Sequence, residues 1–345
     1  MRSGLAFASV ALAWALPVVP PARGQDEDRA VCAAVAKWKP GTEATASPAD
    51  AKRFESETLA CTDYLYGING QPKDYGLARR CCLTRGDCHQ VLAMIFANGW
   101  GVRRDYDAAT YFLCRMEDGI APAEVSGMLE HIAGMRGATT PKDLDYCEQV
   151  TSGYGMSLCQ QLDEDAAAPA LEARIAAVDR ALDPAGKKAL AALRKAAEAF
   201  AQADGDRMAE DNRGGTIYPA VASASRRETF ESFVASLERH TKARAKPADP
   251  AAGKLADDRL NQAFREARQA FEKCDYCQET EAIRREVLRD AQRAWIAYRD
   301  AWKPLYQARW KGAAPPEALL REIVTALSQA RTEELLAIGK EEEGG

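Results

Sequence analysis

Apolar residues return along this chain at steps of three and four, with few β-branched runs between them. The clearest stripe is Leu288, Ala291, Trp295, Tyr298, Trp302 and Leu305, which a helix places on one face. Two tryptophans and a tyrosine on that face require a partner helix to cover them. An earlier segment reads the same way: Leu193 to Phe200 aligns with Leu288 to Trp295 at an offset of 95 residues, with the large aromatic in the same place. Farther on, Arg226 followed by Phe230 matches Arg331 followed by Leu335. One unit is therefore predicted twice: a long aromatic helix, a loop, and a return helix ending in Arg-x-x-x-apolar.

A different repeat occupies the first half. Tyr64 to Ala78 lines up with Ile95 to Ala109, 31 residues on, sharing a glycine turn, an Asp-Tyr pair and an alanine three residues after the tyrosine. The pattern predicts a helix, a tight turn and a second helix whose first N–H groups the aspartate caps. The second copy, running from Leu92 through Asn98-Gly99-Trp100-Gly101-Val102 to Asp105 and Ala109, resembles a Sel-one-like repeat, the short relative of the tetratricopeptide repeat. The first copy has Gly67 and Gly70 without Gly-x-Gly-Val, and a third, weaker copy is read at Gly134 to Cys147. Such pairs bury their faces only by stacking, so two or three make a marginal solenoid.

Ten cysteines would offset that deficit: Cys32, Cys61, Cys81, Cys82, Cys88, Cys114, Cys147, Cys159, Cys274 and Cys277. An even number in an exported chain reads as structural disulfides. Zinc is disfavoured, because His89, His131 and His240 are the only histidines and none shares a helix turn with two cysteines. The spacing of Cys82 and Cys88 resembles the bridged repeats of cysteine-rich Sel-one-like proteins. Adjacent Cys81 and Cys82 point to different sides, so only one can take that bridge and the other could reach Cys61 across its hairpin; Cys147 with Cys159 would tie the last segment. Spacing alone leaves the connectivity open. Cys274-Asp275-Tyr276-Cys277 has the spacing of a redox motif but not its βαβ surroundings, and a local bridge ending a helix is expected.

The stretch Leu288-Arg289-Asp290-Ala291-Gln292-Arg293-Ala294-Trp295-Ile296-Ala297-Tyr298-Arg299-Asp300 resembles the signature helix of the LprI-like lysozyme-inhibitor family, small helical modules of exported bacterial proteins. Its signature positions here are Leu288, Ala291, Gln292, Trp295, Tyr298, Arg299 and Asp300, and Asp257 to Phe264 resembles the family's opening helix. The copies divide the family's features. The first keeps Asn212-Arg213-Gly214-Gly215-Thr216 where the family has a Gly-Gly-Ser loop, but carries Phe200 for the tryptophan and Asp204 for the arginine after it. The second keeps the helix, with Lys311 to Pro316 as its loop. The resemblance runs over about residues 165 to 340. It implies non-catalytic binding of a protein partner, lysozyme or another basic envelope protein.

Charge and the chain's ends narrow the setting. Met1-Arg2-Ser3, an apolar run from Gly4 to Pro20 and then Ala22-Arg23-Gly24 describe a secretory signal peptide at 1–24. The run, roughly 17 residues, is near the lower limit for a membrane span; its closing prolines and the acidic sequel Gln25 to Asp28 favour cleavage. A periplasmic or otherwise secreted protein without a later membrane span is expected. The net charge of −5 becomes −7 once Arg2 and Arg23 are removed, which offers nothing to nucleic acid or anionic lipid and favours basic partners. Asp163 to Pro169 marks a change of composition, and 243–253, rich in proline and small residues, reads as an extended spacer. The expected divisions are a cysteine-rich repeat domain at 25–162, a first module at 163–242 and a second at 254–345. The fold class is all-α: a short disulfide-stapled helical-repeat solenoid followed by two helical-hairpin modules.

Catalysis finds no support: Gly-x-Ser-x-Gly, phosphate-cradling glycine loops and His-Glu-x-x-His are all missing, and neither cofactor nor metal is expected. Gln292, Trp295 and Arg299 lie on adjoining helical faces. They make either a core aromatic flanked by an ion pair, Arg299 with a carboxylate of the return helix, or a solvated recognition face. The stripe favours burial of Trp295 against Leu319, Ile323, Leu327 and Leu335 of its own return helix. Two functions are then open: protein binding through the helical modules, which the resemblance narrows to lysozyme inhibition, or an envelope scaffold holding peptides or proteins on its repeats.

Overall fold

Asp74 and Asp105 each end a turn and begin a helix. In the computed structural model, which describes residues 24–39, 41–54, 60–86, 88–116, 122–242, 249–273, 281–309 and 316–343, Asp74 accepts from the Leu77 N–H at 2.8 Å and Asp105 from those of Asp107 and Ala108 at 3.0 and 2.9 Å. These caps open the second helices of two hairpins, α3 (Cys61–Tyr66) with α4 (Tyr75–Arg85) and α5 (His89–Asn98) with α6 (Tyr106–Leu113). The first helices end at Gly67 and Gly99, with φ of +71° and +72°. A Cβ there would lie 3.1 Å from Lys73 Cβ or 3.3 Å from Arg104 Cβ, so both backbone sign and space call for glycine. Ala78 and Ala109, the shared alanines, are wholly buried.

Helices α1 (Gln25–Val35) and α2 (Pro48–Phe54) precede the hairpins and α7 (Pro122–Gly137) comes after them. The third repeat expected at Gly134 to Cys147 does not form a helix pair. Asp145 caps only a single 3-10 turn, Tyr146–Glu148, because the chain there is already held elsewhere. Asn98 donates to Leu144 O at 2.9 Å and accepts from its N–H at 2.7 Å, and Cys147 is bridged to Cys159.

Four bridges staple this half: Cys32–Cys114, Cys61–Cys81, Cys82–Cys88 and Cys147–Cys159. Cys61, Cys82 and Cys88 bring three sulfurs within 4.8 Å of one another, but all three are engaged in bridges. Cys274 and Cys277, and residues 1–23, lie outside the described residues. The fully buried Glu124 fastens α7 to the stretch 146–152, accepting from the N–H groups of Thr151 and Ser152 and from the Tyr146 hydroxyl. Burial alone would raise its pKa, but those donors together hold it below the ordinary carboxylate value.

Six long helices make the rest: α8 (Gly153–Arg180), α9 (Pro184–Met208), α10 (Tyr218–Lys242), α11 (Pro250–Lys273), α12 (Glu281–Arg309) and α13 (Pro316–Glu343). Helix α8 runs unbroken through Pro169, so the compositional change at 162/163 does not coincide with the end of an element. Residues 250–253 of the expected spacer form the first turn of α11, with Asp249 accepting from the Ala251 N–H at 3.0 Å. Each module is a helical hairpin that an opening helix, α8 or α11, completes as a three-helix unit. In the first, α8 and α10 run parallel, linked by Ser223 to Glu164 and farther along by Arg174 to Glu238 at 2.8 Å. In the second, α11 lies along α13, with Ser328 donating to Asp257 at 3.3 Å. Among the described residues there are thirteen α-helices and no strand.

The core of α1 to α7 is separate from that of α8 to α13, and only the first is cross-linked among the described residues. Losing a native bridge from a small domain costs about 2 to 5 kcal/mol. Replacing Cys32 and Cys114 together by serine should therefore speed amide exchange in α5 and α6 and leave α9 and α12 as protected as in the parent. Equal loss in both cores would show that they unfold as one unit.

Candidate functional site

Helices α9 and α12, the equivalent helices of the two copies, pack on one another more extensively than any other pair. They run antiparallel: Asp211, just beyond α9, pairs with Arg284 near the start of α12, and Phe200 stacks on Tyr298 at 5.7 Å midway. Equivalent helices meeting antiparallel are related by an approximate two-fold, as in an isologous contact between subunits. That axis passes near Phe200 and its counterpart Trp295.

The signature positions divide between core and surface. Leu288 and Ala291 are wholly buried, Trp295 is 2% and Tyr298 5% exposed, and Phe233 from α10 meets Tyr298 and Trp302 edge-on at 6.1 and 6.4 Å. Asp300 is exposed. Helix α12 is covered chiefly by α9 of the first copy and less by its own return helix α13, although Ile323 and Leu335 of α13 are buried in the same core and Leu327 partly so. The side chain of Leu319 lies outside the described residues. Arg299 stands over the Trp295 ring at 5.3 Å and pairs with Asp300 at 2.9 Å and Asp257 of α11 at 3.6 Å. Neither of these partners lies on the return helix, where a carboxylate was expected; Glu334 there is held by Arg331 at 2.7 Å.

Arg331 is the polar centre of the junction. Its side chain has no exposed surface, yet it reaches both copies. Nε donates to Gln292 Oε1 at 3.2 Å, Nη1 donates to Asp204 at 2.9 Å, and the guanidinium lies over the Phe200 ring at 5.2 Å. Asp204 also receives Arg207 Nε at 2.9 Å. Burial pushes the Asp204 carboxyl up, but Arg207 and Arg331 outweigh it and hold the group below the ordinary value. Sequence comparison marks Asp204 only as the loss of a family arginine; in the fold it is the counterion that joins the copies. A signal was available, because the same alignment shows a charge reversal beside an arginine that both copies keep in the return helix. Beside this junction, between α10 and α13, lies a cavity of about 440 Å³ lined in part by Phe233, Trp295, Tyr298 and Arg331.

Two substitutions test this arrangement through stability. Trp295→Ala should cost about 3 to 5 kcal/mol and lower the melting temperature of the second core; a variant melting like the parent would return Trp295 to a binding role. Asp204→Ala leaves a buried guanidinium without its main counter-charge and should cost about 3 to 5 kcal/mol. Because the Asp204 pKa is depressed in the folded state, its stabilisation is complete above the unfolded value of about 3.9 and disappears as pH falls through the folded value. Urea titrations of the parent should therefore lose stability below about pH 4, and Asp204→Asn should lose less of it over the same range.

A family model described as lysozyme inhibitor LprI matches residues 250–335, from the first residue of α11 to Leu335 of α13. The matched segment contains all seven signature positions. No curated protein and no solved structure matches the chain. One of the two three-helix units, α11 to α13, is thus LprI-like.

Proposed function

We propose that this chain is an exported, non-catalytic binding protein that inhibits a lysozyme through the joined units α8 to α13. The observation that carries this reading is the LprI match over residues 250–335. Further support comes from four bridges, which suit an oxidising compartment. No helix among the described residues is long and apolar enough to cross a membrane. In this reading residues 1–24 are a removable signal, 25–162 a Sel-one-like platform, and 163–242 with 254–345 the binding part.

Charge shapes how such binding would work. Residues 250–335 hold 15 Lys and Arg against 14 Asp and Glu, so this unit attracts a basic enzyme through local carboxylates rather than through its overall field. A second reading, a scaffold that holds peptides on its repeats, draws on one feature: Tyr75 and Trp100, stacked at 4.9 Å between the hairpins and both partly exposed. Such a ring pair offers a partner apolar area with little entropy to lose.

The test is turnover of bacterial cell wall by a lysozyme in the presence of the whole mature chain. Lysis should fall in proportion to added protein, to near zero at a molar excess, and calorimetry should show a complex. Undiminished lysis with no heat of binding would overturn the reading. An isolated 250–345 fragment is a poor substitute, because it would bare the face of α12 that α9 covers.

A further inference from the structure

Two of the four bridges meet. Cys61, at the start of α3, is bonded to Cys81, and Cys82, the next residue of α4, is bonded to Cys88, just before α5. The Sγ of Cys61 lies within 4.8 Å of both sulfurs of the other bridge, and among the described residues no other three cysteine sulfurs come so close. Cys61 therefore has both adjacent cysteines of α4 within reach, one bonded and one not. The first bridge closes the hairpin of α3 and α4, and the second ties that hairpin to the next. All four residues belong to the core of the first half.

A sulfur that lies beside a second bridge can do more than hold a helix. Thiol–disulfide exchange needs only a thiolate and a disulfide brought together, and it is complete in one displacement. With Cys82–Cys88 opened so that Cys82 is left as the thiolate, the nearest disulfide is Cys61–Cys81. Cys82 Sγ then attacks Cys61 Sγ. The Cys61–Cys82 bond forms, the Cys61–Cys81 bond breaks, and the electron pair leaves on Cys81, which takes up a proton. The step gains and loses no electrons, and the number of bridges stays the same. During the passage one negative charge is shared among Cys82, Cys61 and Cys81, and Arg85 holds Nη1 4.0 Å from the central sulfur. A cation placed where charge develops favours the passage. Of the four residues Cys88 keeps the most surface, 7%, whereas Cys82 keeps none, so a thiol from outside meets the cluster at Cys88.

We propose that Cys61, Cys81, Cys82 and Cys88 form a thiol–disulfide exchange site whose external reactant is a small thiol. Its thiolate attacks Cys88 Sγ and stays there as a mixed disulfide, which releases Cys82 as the thiolate; the remaining bond then moves from Cys61–Cys81 to Cys61–Cys82. The link inside the first hairpin survives this change and the link between the hairpins is lost, so the junction of the two repeats responds to thiols. The proposal is independent of lysozyme binding.

The experiment incubates the whole mature chain with glutathione, quenches with acid, denatures, alkylates and maps the bridges by mass. Cleavage after Arg80 and Arg85 gives the peptide 81–85, whose fragmentation tells Cys81 from Cys82. Glutathione on Cys88, an alkylated Cys81 and a Cys61–Cys82 link in the same chains are expected. Glutathione on Cys88 with Cys82 alkylated and Cys61–Cys81 intact would overturn the migration, and no glutathione on Cys88 would overturn the entry. The variant Cys88→Ser isolates the internal step, because it frees Cys82 without any outside thiol. Label should divide between Cys81 and Cys82, and label on Cys82 alone would sink the proposal. If that variant fails to fold, the parent decides. Cys159→Ser, which frees Cys147 away from the cluster, is the control. Its label should stay on Cys147; spread to other cysteines would show exchange through unfolding rather than at this site.

Discussion

The antiparallel contact between α9 and α12 is the constraint on which the C-terminal half depends. It supplies the shared core in which Phe200, Trp295, Tyr298 and Trp302 lie, and among the described residues it is the most extensive contact of any helix pair, ahead of that of α11 with α13. Each unit has one aromatic helix, and in both the other unit covers more of it than its own return helix does. Burial at this junction is mostly apolar and therefore indifferent to small shifts along the helix axes. The Arg331–Asp204 pair is not. Sliding α9 by a turn, about 5.4 Å, would part Asp204 from Arg331 of α13 and leave each with only the partner on its own helix, Arg207 or Glu334, so the pair penalises that shift.

The two halves of the chain reach stability by different means. In α1 to α7 the helices are short, from 6 to 16 residues, and bury small faces. Covalent bridges and glycine-capped turns hold them where packing is insufficient. In α8 to α13 the helices run 24 to 29 residues, and packing of long stripes holds them; the one bridge that reaches them among the described residues, Cys147–Cys159, ties the start of α8 to the first half. Glu124 stands where the two strategies meet, using a buried carboxylate to hold the start of α8.

Much of this was legible in the sequence, for reasons that also mark where legibility ends. Aspartate caps and left-handed glycines act within a few residues of themselves, so Asp74, Asp105, Gly67 and Gly99 could be read directly. Helical period shows which face of α12 is buried but carries nothing about what buries it. Trp295 was therefore expected against its own return helix, while α9, about a hundred residues earlier, is the larger partner. The partners of Arg299 and Asp204 were not legible for the same reason. An ion pair is decided by distance in space, and Asp204, which alignment presents as a departure from the family, is explained only by Arg331 from the other copy. The third repeat failed because Asn98 and the Cys147–Cys159 bridge act on that segment from outside it.

The separation of α9 from α12 along the chain has a consequence during synthesis. A ribosome adds residues from the N-terminus at about 5 to 20 per second. The stripe of Leu193, Ala197 and Phe200 is thus complete about 5 to 20 seconds before its partner exists. Throughout that interval the nascent chain carries an apolar face shaped to receive a helix of α12's kind. A neighbouring ribosome on the same message, farther ahead, has already made one. The closeness of ribosomes on the message, and any factor that shields α9 in the meantime, therefore decides how many chains close upon themselves and how many close upon one another.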